Sequence, residues 1–168
     1  MSTTVQTLRS HPGHLIRRVQ QVHDWLWTTQ VSESVTSPQF AVLFTLREQP
    51  DIDQKTLGEQ VSLDRSTAAE VLKRLTVRGL VRRIRDSNDG RRNRLRLTPA
   101  GTQTVERLTP LALRMNAMLV RVLRAREQDE FLRMLNLVVD ADEKLRTRNG
   151  SRNGGDPPFP VRGGSGRG

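Results

Sequence analysis

Apolar residues fall at Leu15, Val19, Val22 and Leu26, with Ile16 and Trp27 widening the stripe. That spacing predicts one face of a helix opened by Pro12, where a missing N–H costs little. Ser37 and Pro38 give a second start, Ser37 as N-cap and Pro38 as first helical residue. The nearly all-apolar run through Glu48 is expected to be core, and Pro50 stops it. Asp53 caps a short helix, QKTLGEQV. Ser62-Leu63 turns, and Asp64 caps RSTAAEVLKRLTVR, which Gly79 ends. The period then changes: Leu80 to Arg85 reads as a strand, Asp86 to Gly90 as a loop tip, and Arg94 to Leu97 as a returning strand.

Thr98-Pro99 opens another helix with the stripe Val105, Leu108, Ala112, Met115, Leu119 and Val122. Its alternating steps of three and four form a seam suited to a partner helix, with a kink expected at Pro110. A last helix is expected from about Glu127 to Arg146, with Phe131, Leu135, Val138 and Leu145 on one face. From Thr147 the chain is Gly, Pro, Arg, Asn and Ser with few apolar residues, and it reads as a disordered basic tail. Residues 1–10 read as a loose arm. The fold class is therefore mostly α with a small β-hairpin wing, in one domain over 11–146. In it, 37–98 form a winged helix-turn-helix lobe, flanked by helical segments at 11–36 and 99–146.

Charge narrows the partners. Twenty-eight Lys and Arg against 18 Asp and Glu give a net charge of +10, which favours a polyanion such as nucleic acid. Zero cysteines exclude disulfides and thiolate metal sites. No run approaches a membrane span, and the opening MSTTVQTLRSHPGH has no apolar centre, so the chain reads as soluble and cytoplasmic, with no membrane partner.

The second helix of the 53–98 segment suits the major groove. Ala68, Val71, Leu72 and Leu75 pack inward and leave Arg65, Ser66, Thr67, Ala69, Glu70, Lys73 and Arg74 outward. Small residues at its start let it approach base edges, Arg65 suits guanine O6 and N7, and Lys73 and Arg74 suit phosphates. The hairpin adds Arg82, Arg83, Arg85, Arg91, Arg92, Arg94 and Arg96. Arg91 or Arg92 at the tip suits a narrow minor groove, with Asp89 near enough to orient one of them.

The pieces LGEQVSLDRSTAAEVLKRLTVRGLVRR, DSNDGRR and LRLTPAG, in this order and spacing, resemble the MarR (multiple antibiotic resistance regulator) family of winged helix-turn-helix transcription regulators. The resemblance, over roughly residues 12–146, implies an obligate homodimer whose terminal helices, in 11–36 and 99–146, interleave as its dimerisation region. It implies that the helix starting at Arg65 is the recognition helix, that Arg91 is the wing arginine and that Asp89 supports it. Gly90 stands where many relatives carry a charge. The function implied is a sequence-specific regulator of double-stranded DNA, a repressor on a pseudo-palindromic operator. The alternatives are a nonspecific nucleic-acid binder using charge alone and a winged-helix module that docks a protein.

The resemblance also suggests a small-molecule effector between the two regions. His14, Arg17, His23, Trp27, Phe40, Phe44 and Met115 are the candidates, since an arginine and a histidine in an apolar cavity suit an aromatic carboxylate. His14 and His23 lie nine residues apart on one helix and nearly opposite, so one metal ion does not easily take both. No phosphate loop and no nucleophile with a histidine beside it is present. Neither cofactor nor catalysis is expected.

Overall fold

A computed structural model describes residues 8–85 and 93–150, without the side chains of Arg85, Asn93 and residues 142–150. After a 3-10 turn at Leu8–Ser10 come α1 (Pro12–Gln30), α2 (Ser37–Glu48), β1 (Ile52–Asp53), α3 (Gln54–Gln60), α4 (Arg65–Val77), β2 (Val81–Arg85), β3 (Asn93–Leu97), α5 (Pro99–Val120) and α6 (Ala125–Gly150). The chain divides into two units, Met1–Arg121 and Val122–Gly168.

The helices start where side chains satisfy the first free N–H groups. Asp53 accepts from Lys55 and Thr56, and Asp64 from Ser66 and Thr67, as expected. At α2 the cap is Thr36, not Ser37. Thr36 and Gln39 form a reciprocal capping box, and Ser37 and Pro38 lie inside the first turn. The box decides it, because it satisfies two backbone groups where a serine cap alone satisfies one. Gly79, at φ 67°, ends α4. The Leu80 N–H reaches Leu75 O at 2.9 Å and the Gly79 N–H reaches Thr76 O at 2.9 Å, closing the helix in a left-handed cap.

The sheet has three strands in the order β1-β3-β2, both pairs antiparallel, where the sequence predicted a two-stranded hairpin. Asp53 pairs with Arg94 and Ile52 with Leu95, while Val81 pairs with Leu97. A two-residue strand leaves no alternation to read, which is why β1 is silent in the sequence.

In the first unit Leu43, Leu46, Leu57, Leu72, Leu75, Leu95, Leu108 and Met115 are fully buried and join helices and sheet in one core. Val105, Leu108, Ala112 and Met115 belong to it, and α5 packs on α1 and α2 of its own chain. The seam on α5 thus finds its partner helices within the subunit over these four positions. Leu119 packs at the core margin, and Val122 lies beyond the helix end and is exposed. α5 runs through Pro110 as one element.

The apolar stripe of α1 behaves differently. Only Leu26 and Trp27 are buried, whereas Leu15, Ile16, Val19 and Val22 are 43–58% exposed. In the second unit α6 begins at Ala125 and extends to Gly150, four residues past the expected end. Leu132, Leu135, Val138 and Val139 on it are exposed. Among the described residues no helix is long and apolar enough to cross a membrane.

Candidate nucleic-acid interface

α4 is held by its apolar side. Ala68, Leu72 and Leu75 are at most 2% exposed and Val71 is half-buried, so the opposite side faces outward. Arg65, Ser66, Thr67, Glu70, Lys73 and Arg74 are all exposed there. Replacing a side chain such as Leu72 by alanine would cost about 2–5 kcal/mol and loosen the whole face.

Electrostatics sort these residues. The Arg74 Nε donates to Glu70 at 2.9 Å one turn earlier, an exposed pair in which Glu70 orients Arg74. Four donors converge on Asp64. The Ser66 and Thr67 N–H groups reach it at 2.9 and 3.0 Å, and both hydroxyls reach it at 2.5 Å. The hydroxyl bonds of Ser66 and Thr67, then the backbone bonds, hold its carboxyl far below the ordinary range.

Neighbouring elements fix the far end of α4. Arg78 donates to Ser34 O at 2.6 Å and to Gln39 at 3.4 Å, tying α4 to the loop before α2. Between the start of α2 and α4 lies an open cleft of about 430 Å³, lined by Thr36, Pro38, Gln39, Ser66, Thr67, Glu70, Val71 and Arg74. The Thr98 hydroxyl donates to Gly79 O at 2.6 Å and accepts from the Gly101 N–H at 3.1 Å, joining the end of α4 to the start of α5.

On the sheet, Arg82, Arg83, Arg94 and Arg96 are exposed. Arg96 pairs with Asp51, and Arg94 donates to Asp51 O at 3.2 Å. Asp89, Arg91 and Arg92, and the side chain of Arg85, lie outside the described residues.

The effector candidates divide. His23 stacks on Trp27 with ring centroids 6.2 Å apart, Trp27 meets Phe40 at 5.3 Å, and Phe40 meets Phe44 at 5.8 Å. Arg47 lies 4.5 Å over the Phe44 ring and ends this ladder. Trp27 also donates through Nε1 to Val35 O at 2.7 Å, so both it and the fully buried Met115 are packing residues of the core. Arg17 is exposed and His14 half-buried. Arg17 precedes His23 by six residues, about 9 Å along the helix, so the structure does not gather all seven candidates at one point. Sequence reading missed Arg47, Arg78 and Asp51. Arg47 one turn after Phe44 was the visible signal for the first, and the other two act only through tertiary contacts.

Comparison with known proteins places this geometry. A sequence model described as MarR family matches residues 35–92, from the loop before α2 into the wing. The chain is 31% identical over 134 residues to the transcriptional regulator HosA of Escherichia coli O157:H7, covering 80% of this chain and 98% of that one. The chain belongs to the MarR family. It is a MarR-family transcriptional regulator by the same relationship. The PcaV regulator of Streptomyces coelicolor, solved with its natural ligand, is 49% identical with a TM-score of 0.79, covering 84% of this chain and 99% of that chain. Bordetella bronchiseptica BpsR, whose DNA binding is regulated by 6-hydroxynicotinic acid, is 29% identical with a TM-score of 0.70, covering 76% and 97%. Gly79 supplies the left-handed cap within the matched span, and Thr98 joins the end of α4 to the start of α5 just beyond it.

Proposed function

We propose that this MarR-family protein binds double-stranded DNA as a homodimer at a pseudo-palindromic operator and represses transcription until a small anionic aromatic molecule releases it. The observation that carries the reading is the uncovered polar side of α4 on a core that fixes its apolar side. Arg65 reads a base edge, Ser66 and Thr67 lie close to the groove floor, and Lys73 and Arg74 meet phosphates. On the wing, Arg91 enters the minor groove with Asp89 orienting it, while Arg85, Arg92 and Arg94 contact the backbone. Glu70 serves to hold Arg74.

The exposed stripe Leu15, Ile16, Val19 and Val22 on α1 supports the dimer, because a face that apolar is normally covered. The exposed apolar residues of α6 are assigned the same role. Residues 11–36 and 99–146 thus carry assembly and 37–98 carry DNA. For the effector, half-buried His23 on the Trp27 ladder is the anchor, with Phe40 and Phe44 beside it and, earlier on α1, Arg17 supplying positive charge and His14 a hydrogen-bonding ring nitrogen. Trp27 and Met115 act as its floor. The fate of BpsR under 6-hydroxynicotinic acid supports an aromatic acid. The protein acts by binding in the cytoplasm, without catalysis.

Fluorescence anisotropy with operator duplexes tests the reading. Arg65→Ala should relax choice at one base position per half-site, at about 1–3 kcal/mol. Unaltered affinity and preference would remove Arg65 from the interface. For the effector, benzoate-like acids should raise the melting temperature and release DNA, and a His23→Ala, Arg17→Ala double variant should lose both responses. Identical behaviour of the two proteins would end the effector assignment.

A further inference from the structure

Where a hydroxyl proton goes decides what the hydroxyl has left to offer. The Ser66 hydroxyl donates to Asp64 Oδ1 and the Thr67 hydroxyl to Asp64 Oδ2, each at 2.5 Å. A carboxylate accepts only, so both protons are committed and each oxygen turns nothing but lone pairs outward. Both side chains are exposed on the side of α4 that Ala68, Leu72 and Leu75 leave uncovered. In the major groove the phosphates, guanine O6 and N7, adenine N7 and thymine O4 all accept, and only adenine N6 and cytosine N4 donate. An oxygen without a free proton therefore has no favourable partner among phosphates or keto groups.

We propose that Asp64 sets the base preference of the recognition helix by holding Ser66 and Thr67 as acceptors, so that they select adenine or cytosine on the strand they contact. The inference rests on the DNA-binding reading above and adds the chemistry of the selected base. Arg65 complements the pair, since a guanidinium only donates and takes guanine. Asp64 acts through Ser66 and Thr67 and is a positioning residue. Its carboxyl stays charged through neutral and mildly acid solution, because the same bonds hold it far below the ordinary range.

Duplexes selected from a random pool by the wild-type protein, by Ser66→Ala and by Thr67→Val identify the bases these residues face. The wild type is expected to carry A or C there. Replacing that adenine by nebularine, or that cytosine by zebularine, removes the amino group. This should weaken wild-type binding about threefold to tenfold and leave the matching variant nearly unaffected. Asp64→Asn keeps a good cap, but its amide nitrogen donates, which frees one hydroxyl proton. Selection at that position should move toward G or T. Keto bases opposite Ser66 and Thr67, unchanged selection in both hydroxyl variants, or analogue duplexes bound as tightly as their parents would overturn the inference while leaving DNA binding intact. A pool with no enriched duplex would overturn the binding reading, and this inference with it. The analogue duplexes are read with wild-type protein, so that result does not depend on how a variant folds.

Discussion

Arg96 on β3 closes on the carboxylate of Asp51, in the turn between α2 and β1, through Nε at 2.9 Å and a second guanidinium nitrogen. Asp51 takes the left-handed backbone region at φ 68°, and its N–H donates to Leu95 O at 3.0 Å. Arg94 donates to its carbonyl, so one residue pins the root of the wing by side chain and backbone together. One of the basic residues on the sheet is thereby spent on the protein itself.

Asp51→Asn tests that pin. Asparagine tolerates the left-handed region, so the variant removes charge with little new strain. Both partners reach solvent, so the pair should contribute little to stability, and less at high salt. Urea denaturation at two ionic strengths measures it. A loss of several kcal/mol that salt does not reduce would show that the pair is not a screened surface contact.

Acid should reveal two carboxylates. Asp51, through its bond to Arg96, and Asp64, through Ser66 and Thr67, are both held below their ordinary value of 3.8. A group lowered on folding binds fewer protons folded than unfolded. Its contribution is present in full above about pH 4–5 and is lost as pH falls through the unfolded and then the folded value. Asp64→Asn should flatten the acid limb of the stability curve between about pH 5 and pH 2 without changing its neutral slope. An acid limb identical to wild type would contradict the assignment.

Gly101 has no room for a side chain. A Cβ there would lie 2.1 Å from Leu80 O and 3.3 Å from Leu97 Cδ2. The clash is with backbone at the start of the wing, which cannot swing away as a long side chain would. Gly101→Ala should cost about 1–3 kcal/mol or more. Gly79→Ala, at φ 67° with open space around it, should cost about 1–2 kcal/mol from backbone strain alone. Thermal melting of both variants checks the order.

The α1 stripe should fail when charged. Val19→Asp is surface-exposed within one subunit, so it should leave the subunit folded but shift sedimentation toward the monomer and weaken DNA binding through loss of the second half-site. A Val19→Asp protein that sediments as wild type would take α1 out of the assembly interface.

Much of this was legible in the sequence because the signals are local. Asp53, Asp64 and Thr98 cap the helices they precede, Gly79 stops α4, and the inward set of α4 follows from period alone. What stayed hidden is tertiary. The α5 seam reads the same whether its partner lies within the chain or outside it, and only burial of Val105 and Leu108 decides. Arg96 reads as one more cation until Asp51 is seen against it, 45 residues away. Ser66 and Thr67 read as small polar residues, while the direction of their protons depends on the shared carboxylate. The wing tip, which holds Asp89, Arg91 and Arg92, lies outside the described residues and stays an expectation from the family pattern.

Selection of bound duplexes from a random pool decides whether α4 reads sequence, and reads it twice per assembly. An inverted repeat is expected, with half-site centres about 10 base pairs apart, protected on one face of the duplex and preferred over random sequence by about a thousandfold or more. A pool that stays random, or a single unrepeated site bound by a lone subunit, would rule out dimeric, sequence-specific binding.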